Sequence, residues 1–301
     1  MRTGTGYSKT FSKMMWLFAL LLVVLATGCD RDHGGAGGDP GPAGPAPNLG
    51  LASTYGIIAF DAINTGTIAS HIYGDVALTG GVIASVTGAG ANNVPAAPLL
   101  ASTSVTTSDG VTPGIIIASD NGTAEKIATL PQLQLDLNAA YQDLINRPAP
   151  ATVLTDAASA EGVNGGTFGA ATDLSGFVLS PGVYASIATY GLSNAAGPLV
   201  LDAGGNPGAV FIIRSTAGGS GFTSTTGDVV LRNGARSTNV FWVVTNNITI
   251  GTGTFFQGTV VAGSTITVVD FANVEGRMLA GALGAGALTL TGTSIIVVPA
   301  P

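Results

Sequence analysis

The sequence is short of charge, cysteine and histidine. Only 9% of its 301 residues are Asp, Glu, Lys or Arg, against about 25% in an ordinary soluble domain. Ten basic residues are too few for the patch with which proteins neutralise nucleic-acid phosphates. One cysteine allows no intrachain disulfide and no multi-thiolate metal site, and two histidines leave little for catalysis or zinc. The sequence therefore predicts no nucleic-acid partner, no cofactor and no metal site.

Aromatic residues are also scarce, at 6%, whereas glycine is abundant, with 45 residues. The glycines follow no strict three-residue period, which excludes a collagen triple helix. A chain rich in Gly, Thr, Ala and Val favours many short strands and tight turns over helices.

Residues 1–29 predict an export signal. Arg2, Lys9 and Lys13 precede an uncharged, mostly apolar run over 14–28, shorter than the roughly 20 residues of a membrane-spanning helix. The run ends in LATGC at 25–29, which resembles the lipobox whose cysteine is lipidated in bacterial lipoproteins. We therefore expect a lipoprotein signal peptide and a protein lipid-anchored to a bacterial membrane or cell surface through Cys29. The alternative is an ordinary signal peptide and a secreted protein.

Residues 30–48 are rich in Gly, Pro and Ala and show no apolar periodicity. Such a composition is typical of a flexible tether. The sequence therefore predicts a tether over 30–48 and a folded domain over 49–301.

The carboxy-terminal third repeats itself. Short apolar segments recur 18 residues apart, with a third copy after a four-residue insertion, in residues 239–244 with 248–250, 259–262 with 266–268, and 277–280 with 288–290. Upstream, 199–201 and 210–212 match 229–231 and 240–242 at a shift of 30. This repeat predicts successive coils of a parallel β-helix. A β-sandwich is the alternative, but it would not repeat in register.

A long helix is predicted over 129–147. Thr129 to Gln132 has the pattern of a capping box, with Pro131 near the start of the helix. The helix then carries an apolar stripe, consisting of Leu133, Leu137, Tyr141 and Leu144. The repeated strands have outward apolar side chains that need a cover, and we expect this stripe to provide it.

Several segments together resemble the bacterial and fungal ice-binding (antifreeze) proteins, which are built on a discontinuous right-handed β-helix with one flanking α-helix. The resemblance runs from about 49 to 298 and rests on LGLAS at 49–53, NTG at 64–66, GDV at 74–76, DLNAAY at 136–141, LSPGVY at 179–184, LDAGGNPGAVF at 201–211, NVFW at 239–242, GTGT at 251–254 and GR at 276–277. It implies a mainly β fold, a right-handed parallel β-helix with one long α-helix alongside. Residues 81–124 exceed the expected length and would form a capping insertion.

The resemblance also implies non-catalytic adsorption to ice, inhibiting its growth or recrystallisation. Threonine suits a flat ice-binding face, because its β-branched side chain is stiff and carries both a methyl and a hydroxyl group. Two columns are candidates. The first, close to a Thr-Gly/Ala-x-Thr/Asn pattern of some family members, comprises Thr65, Thr67, Thr252, Thr254, Ala272, Thr291 and Thr293. The second comprises Thr249, Thr267 and Thr289. Asp270 and Arg236 interrupt the first column, so we expect moderate activity.

Enzymes and adhesive surface proteins are the two competing classes of function. Polysaccharide-cleaving enzymes also use parallel β-helices, but they need clustered acids, and here the acids are scattered and His71 has no Cys or Ser partner in sequence. We therefore predict no enzyme and no catalytic residue. The alternative function is a surface-anchored adhesin or polysaccharide-binding structural protein, which exposed aromatic residues would favour. We expect a monomer whose partners are ice and, through the anchor, a membrane.

Overall fold

The computed structural model describes residues 41–66, 70–88, 104–106, 115–169, 172–216 and 221–299. The predicted signal peptide with Cys29, the first part of the tether and Thr67 lie outside these residues. No helix within the described ranges is long and apolar enough to cross a membrane.

Short strands dominate the described chain. In chain order they are β1 Tyr55–Ala59, β2 Ala62–Thr65, β3 His71–Tyr73, β4 Asp75–Leu78, β5 Val86–Gly88, β6 Ser104–Thr106, β7 Ile116–Ile117, β8 Val153–Leu154, β9 Gly166–Phe168, β10 Val178–Leu179, β11 Gly182–Ser186, β12 Tyr190–Leu192, β13 Leu199–Asp202, β14 Phe211–Ser215, β15 Phe222–Ser224, β16 Val229–Arg232, β17 Val240–Val244, β18 Ile248–Ile250, β19 Phe255–Gln257, β20 Thr259–Ala262, β21 Ile266–Val268, β22 Asn273–Glu275, β23 Met278–Leu279, β24 Ala287–Leu290 and β25 Ile295–Val297. The α-helices are α1 Ala124–Ile127, α2 Leu130–Asn146 and α3 Ala157–Ala160. Short 3₁₀ turns occupy Gly41–Ala43, Gly50–Thr54, Ile83–Ser85 and Ser237–Asn239.

The strands pair in parallel and form the three faces of a solenoid. The helix-side sheet has ten strands in the order β7-β4-β1-β23-β20-β17-β14-β11-β9-β8, and the second sheet has seven in the order β12-β15-β18-β21-β24-β2-β5. The third face consists of a three-stranded sheet, β10-β13-β16, and a five-stranded sheet, β19-β22-β25-β3-β6. This arrangement confirms the predicted β-helix and excludes the sandwich.

The coils are not stacked in chain order. Strand β1 pairs with β23 on one side and β4 on the other, so the amino-terminal coils continue the stack beyond the carboxy-terminal ones. The chain leaves this end after β7 and resumes at the opposite end with β8. Helix α2 lies between them in sequence and, at 17 residues, is about 25 Å long, the height of about five coils.

The predicted repeat is confirmed in the shorter coils. Phe241 pairs with Thr259 and Ile248 with Ile266, both 18 residues apart. The longer coil differs by one residue from the prediction: Leu199 pairs with Val229 at a shift of 30, but Phe211 pairs with Val240 at a shift of 29. The reason is that β16 reaches its next helix-side strand through a connection one residue shorter than the one after β13.

Helix α2 covers the helix-side sheet as predicted. Its buried stripe packs with Phe241, Val243 and Val261, the outward side chains of that sheet. Polar contacts fix the helix as well. Gln134 Nε2 donates to Gly281 O at 3.0 Å and Asn138 Nδ2 to Ala282 O at 2.9 Å.

The predicted capping box is wrong. The Thr129 side chain makes no bond to the amino-terminal N–H groups of α2; its hydroxyl donates to Lys126 O at 2.6 Å instead. Thr129 has helical φ and ψ of −83° and −16°, because the chain enters α2 almost directly from α1 without an extended residue. Pro131 does lie in the first turn of α2, as expected.

Two predicted segments contact the solenoid. Within residues 81–124, β5, β6 and β7 pair with β2, β3 and β4 and extend the stack by a further coil. Within the predicted tether, Ala43 is buried and its carbonyl accepts a hydrogen bond of 2.9 Å from Arg147. The described residues of both segments therefore pack on the domain that begins, by prediction, at residue 49.

Candidate functional site

The second sheet presents a continuous column of small polar side chains. Each of its strands alternates inward and outward, and the outward middle residues are paired from coil to coil. We call this column the Thr ladder; from one end to the other it comprises Thr223, Thr249, Thr267, Thr289, Asn64 and Thr87, with Gly191 beyond Thr223. All three residues of the second predicted column lie in it.

The ladder is regular and accessible. Paired strands lie about 4.8 Å apart, so its side chains repeat at that spacing. Thr223 and Thr87 are exposed and the members between them are half-buried by their neighbours. At one end the Thr87 hydroxyl donates to Asn64 Oδ1 at 2.6 Å.

The positions flanking the ladder are equally small and carry no charge. On one side the outward residues are Thr189, Gly221, Asn247, Thr265, Ala287, Ala62 and Ser85; on the other they are Ser193, Thr225, Gly251, Val269, Thr291 and Gly66. Glycine is required at Gly251, where a Cβ atom would lie 2.1 Å from the Thr225 carbonyl oxygen. The sheet therefore presents a flat, uncharged surface three residues wide.

Carboxylates stand at the margins of this surface. Asp270 follows Val269 at the corner toward the third face, and its Oδ1 is buried without a hydrogen-bond partner. Asp173 lies at the Gly191 end. Burial raises its pKa, but hydrogen bonds from Ser193 and Ser175 outweigh that effect and lower the pKa, so Asp173 is ionised at neutral pH. Among the described residues there is no cluster of three or more His, Cys, Asp or Glu suited to a metal ion.

The first predicted column does not form a continuous surface, although Thr291 flanks the Thr ladder. Thr252 and Thr291 are exposed and Thr293 is half-buried, but Thr65, Thr254 and Ala272 are buried, and Thr67 lies outside the described residues. The prediction that Thr65, Thr254 and Ala272 line a binding face is thus wrong. Thr65 lies on the inward side of β2. Thr254 and Ala272 are inward because the chain turns at the corner before each of them, and there Thr254 Oγ1 lies 3.2 Å from Ser224 Oγ.

Sequence reasoning missed Thr223, Asn64 and Thr87. Thr223 is followed by Thr249 only after a longer coil, and Asn64 pairs with Thr289, which is 225 positions later in the chain. A search for fixed spacing could not connect them, although the I-N-T segment of β2 resembles the I-T-I and L-T-L segments of its partners.

Fold and surface together define a class: a β-solenoid that offers one flat, uncharged face on its outside. A family model described as ice-binding-like matches residues 57–296. The chain belongs to this ice-binding-like family.

Individual relatives agree with the family match. The chain is 31% identical over 248 residues to ice-binding protein 1 of Shewanella frigidimarina (strain NCIMB 400), covering 78% of this chain and 24% of that protein's length. The solved domain of S. frigidimarina ice-binding protein 1 has a TM-score of 0.66 at 27% identity and covers 84% of this chain and 98% of its own. An ice-binding protein from an Antarctic biological consortium has a TM-score of 0.61 at 28% identity, over 83% of this chain and 91% of its own.

Proposed function

We propose that this protein adsorbs to ice through the Thr ladder and its flanking residues, without catalysis, and thereby inhibits ice growth or recrystallisation. The observation that carries the proposal is the in-register column from Thr223 to Thr87, unbroken by charge across six coils. The names of the relatives support the same activity.

The physical requirement is a surface that orders water without holding it tightly. A charged side chain binds its own hydration water strongly, whereas a threonine hydroxyl can take a place in a water lattice while its methyl group excludes disordered water. The β-branched side chains are stiff at χ1, and the inward neighbours on each strand are buried core residues such as Ile248, Ile250 and Ile266. Little conformational entropy is therefore lost when the surface meets a rigid lattice.

The test is ice recrystallisation inhibition by the purified chain, together with its partition into a slowly growing ice hemisphere. We expect inhibition and enrichment in the ice fraction, both abolished by heat denaturation. The matched control is Thr267→Tyr, which places a bulky ring in the middle of the ladder. A folded protein excluded from ice would overturn the proposal and favour the adhesin hypothesis.

We also propose that Cys29 carries a lipid and anchors a monomeric protein to a bacterial membrane or cell surface. The support is the signal-like amino terminus and its lipobox-like LATGC segment. Expression in a bacterial host with labelled palmitate tests the proposal. Label incorporation and recovery in the membrane fraction should both disappear in Cys29→Ala. A wild-type protein without label, or one that fractionates in the same way as the variant, would contradict the lipid anchor.

A further inference from the structure

The third face carries a feature unlike the Thr ladder. Two surface pockets, of about 300 Å³ and 600 Å³, adjoin there because Gln257 and Glu275 line both. We call the combined feature the groove; its distinctive side chains are Phe255, Gln257, Asn273, Glu275, Arg236 and Ser237.

The groove exists because the coils differ in length. In the shorter coils the third face is connected to the helix-side sheet by one residue, Gly258, or by two, Gly276 and Arg277. In the preceding coil the same connection is residues 233–239, and Ala235, Arg236 and Ser237 form one wall of the larger pocket. The step between the two kinds of coil creates a concavity beside β19 and β22.

Phe255 provides an aromatic surface at one end of the groove. Its side chain is 58% exposed, whereas the rings of Phe222, Trp242 and Phe256 pack together in the core. A ring exposed to this extent offers apolar surface to a ligand. Phe255 is paired with Asn273, and Gln257 with Glu275. The ring therefore lies next to three polar side chains on the neighbouring strands β19 and β22.

These polar side chains supply both donors and acceptors. The Ser237 hydroxyl donates to Glu275 Oε1 at 2.6 Å, which orients the carboxylate, and Gln257 and Asn273 carry amides that both donate and accept. Arg236 and Glu275 line the same pocket without an ion pair between them. Their opposite charges favour an uncharged ligand, and the chain's net charge of −7 disfavours polyanions.

We propose that the groove binds a neutral polysaccharide chain. The C–H face of a sugar ring would stack on Phe255, and its hydroxyl groups would exchange hydrogen bonds with Glu275, Gln257 and Asn273. Pockets with an apolar surface and a few convergent polar groups are the usual form of small-molecule sites, and this combination suits a ligand with both ring faces and many hydroxyls. The binding is independent of the proposed ice contact, because the groove and the Thr ladder lie on different faces.

The test is isothermal titration of the purified chain with cellohexaose, laminarihexaose and maltohexaose, and with an alginate oligomer as the anionic comparison. We expect a neutral hexasaccharide to bind. Phe255→Ala should raise the Kd for this sugar at least about tenfold. Glu275→Gln should raise the Kd less.

Two control variants separate the groove from general effects. Phe271→Ala removes a ring of similar exposure, 61%, that does not line the groove, and it should leave the Kd unchanged. Thr267→Tyr should leave sugar binding unchanged while it reduces ice binding. The proposal is overturned if no neutral sugar binds, if the alginate oligomer binds more tightly, or if Phe255→Ala and Phe271→Ala have equal effects in folded proteins.

Discussion

The Thr ladder and the groove are built from the same coils yet have opposite character. In one coil Thr267 lies on the ladder and Asn273, six residues later, lines the groove. The ladder results from repeating nearly the same residue at the same register position. The groove results from a change in coil length and from different residues at equivalent positions. Repetition produces a surface that can match a repeating lattice, whereas its interruption produces a concave site for a discrete ligand.

Close packing of the backbone makes the ladder side flat. At Gly221 and Gly66, as at Gly251, an added Cβ would come within about 2.2 Å of a carbonyl oxygen in the neighbouring coil. No side chain can therefore rise at these flanking positions without displacing a strand. On the third face the corresponding outward positions hold large or charged residues, among them Phe255 and Glu275.

The largest effect is expected from the core beneath both surfaces. Trp242 is fully buried, its ring centroid lies 5.2 Å from that of Phe222 and 4.9 Å from that of Phe256, and its Nε1 donates to Gln257 O at 2.9 Å. Trp242→Ala should cost roughly 3–5 kcal/mol of stability. Thermal unfolding should show the lowered melting temperature, and samples preheated to graded temperatures and then assayed in the cold should lose ice and sugar binding together; loss of only one would show that the surfaces are supported separately.

A second prediction compares matched substitutions on the two surfaces. Thr267→Tyr and Asn273→Tyr introduce the same ring into one coil, on strands β21 and β22. Thr267→Tyr should raise the concentration needed for recrystallisation inhibition at least about tenfold, equivalent to about 1.4 kcal/mol of adsorption energy, because the ring holds the flat surface away from ice. Asn273→Tyr should leave inhibition unchanged.

Equal melting temperatures would confirm that both variants remain folded. If Asn273→Tyr were the more damaging substitution for ice activity, the contact surface would have to be moved to the third face.

The local parts of this comparison could be predicted from the sequence. Coils that follow each other at 18 residues place Thr249 and Thr267 side by side, and the stripe on α2 follows from helical spacing. The long-range parts could not. Asn64 joins the ladder because β2 stacks on β24, a contact that the order of the chain does not indicate.

The side-chain orientations at the corner between the second sheet and the third face could not be predicted for another reason. Gly253 has a φ of +68°, and the turn at Thr252 and Gly253 precedes a return to alternation in which Thr254 points inward. Period-two reasoning applies along strands and gives no orientation within such a turn. The groove could not be predicted either. One of its walls is a connection between strands, and the sequence indicates the length of this connection but not its position in the fold.

A smaller effect is expected at that corner. Thr252 is exposed, but the N–H of the adjacent Gly253 donates to the carbonyl oxygen of Asp270 in the next coil, so a carboxylate residue stands beside the Thr252 turn. Thr252→Tyr and Thr293→Tyr should change recrystallisation inhibition by less than about twofold if the corner lies outside the ice contact. A loss comparable to that of Thr267→Tyr would extend the contact surface to the corner and restore part of the first predicted column.

The smallest expected effect is that of pH on ice activity. No residue of the ladder or its flanks titrates, so recrystallisation inhibition should be constant between about pH 5 and 9. Activity should fall only under strongly alkaline conditions. Burial raises the pKa of Tyr184 to about 12, above the value of about 10 in an unfolded chain, so the stability that this neutral phenol contributes is complete below about pH 10 and is lost as the pH rises toward 12.

Parallel measurements of inhibition and of circular dichroism from pH 5 to 12 test this expectation. If recrystallisation inhibition decreased at any pH between 5 and 9 while the protein stayed folded, a titrating group would have to lie in the ice contact. The boundary between the ladder and the third face would then have to be redrawn.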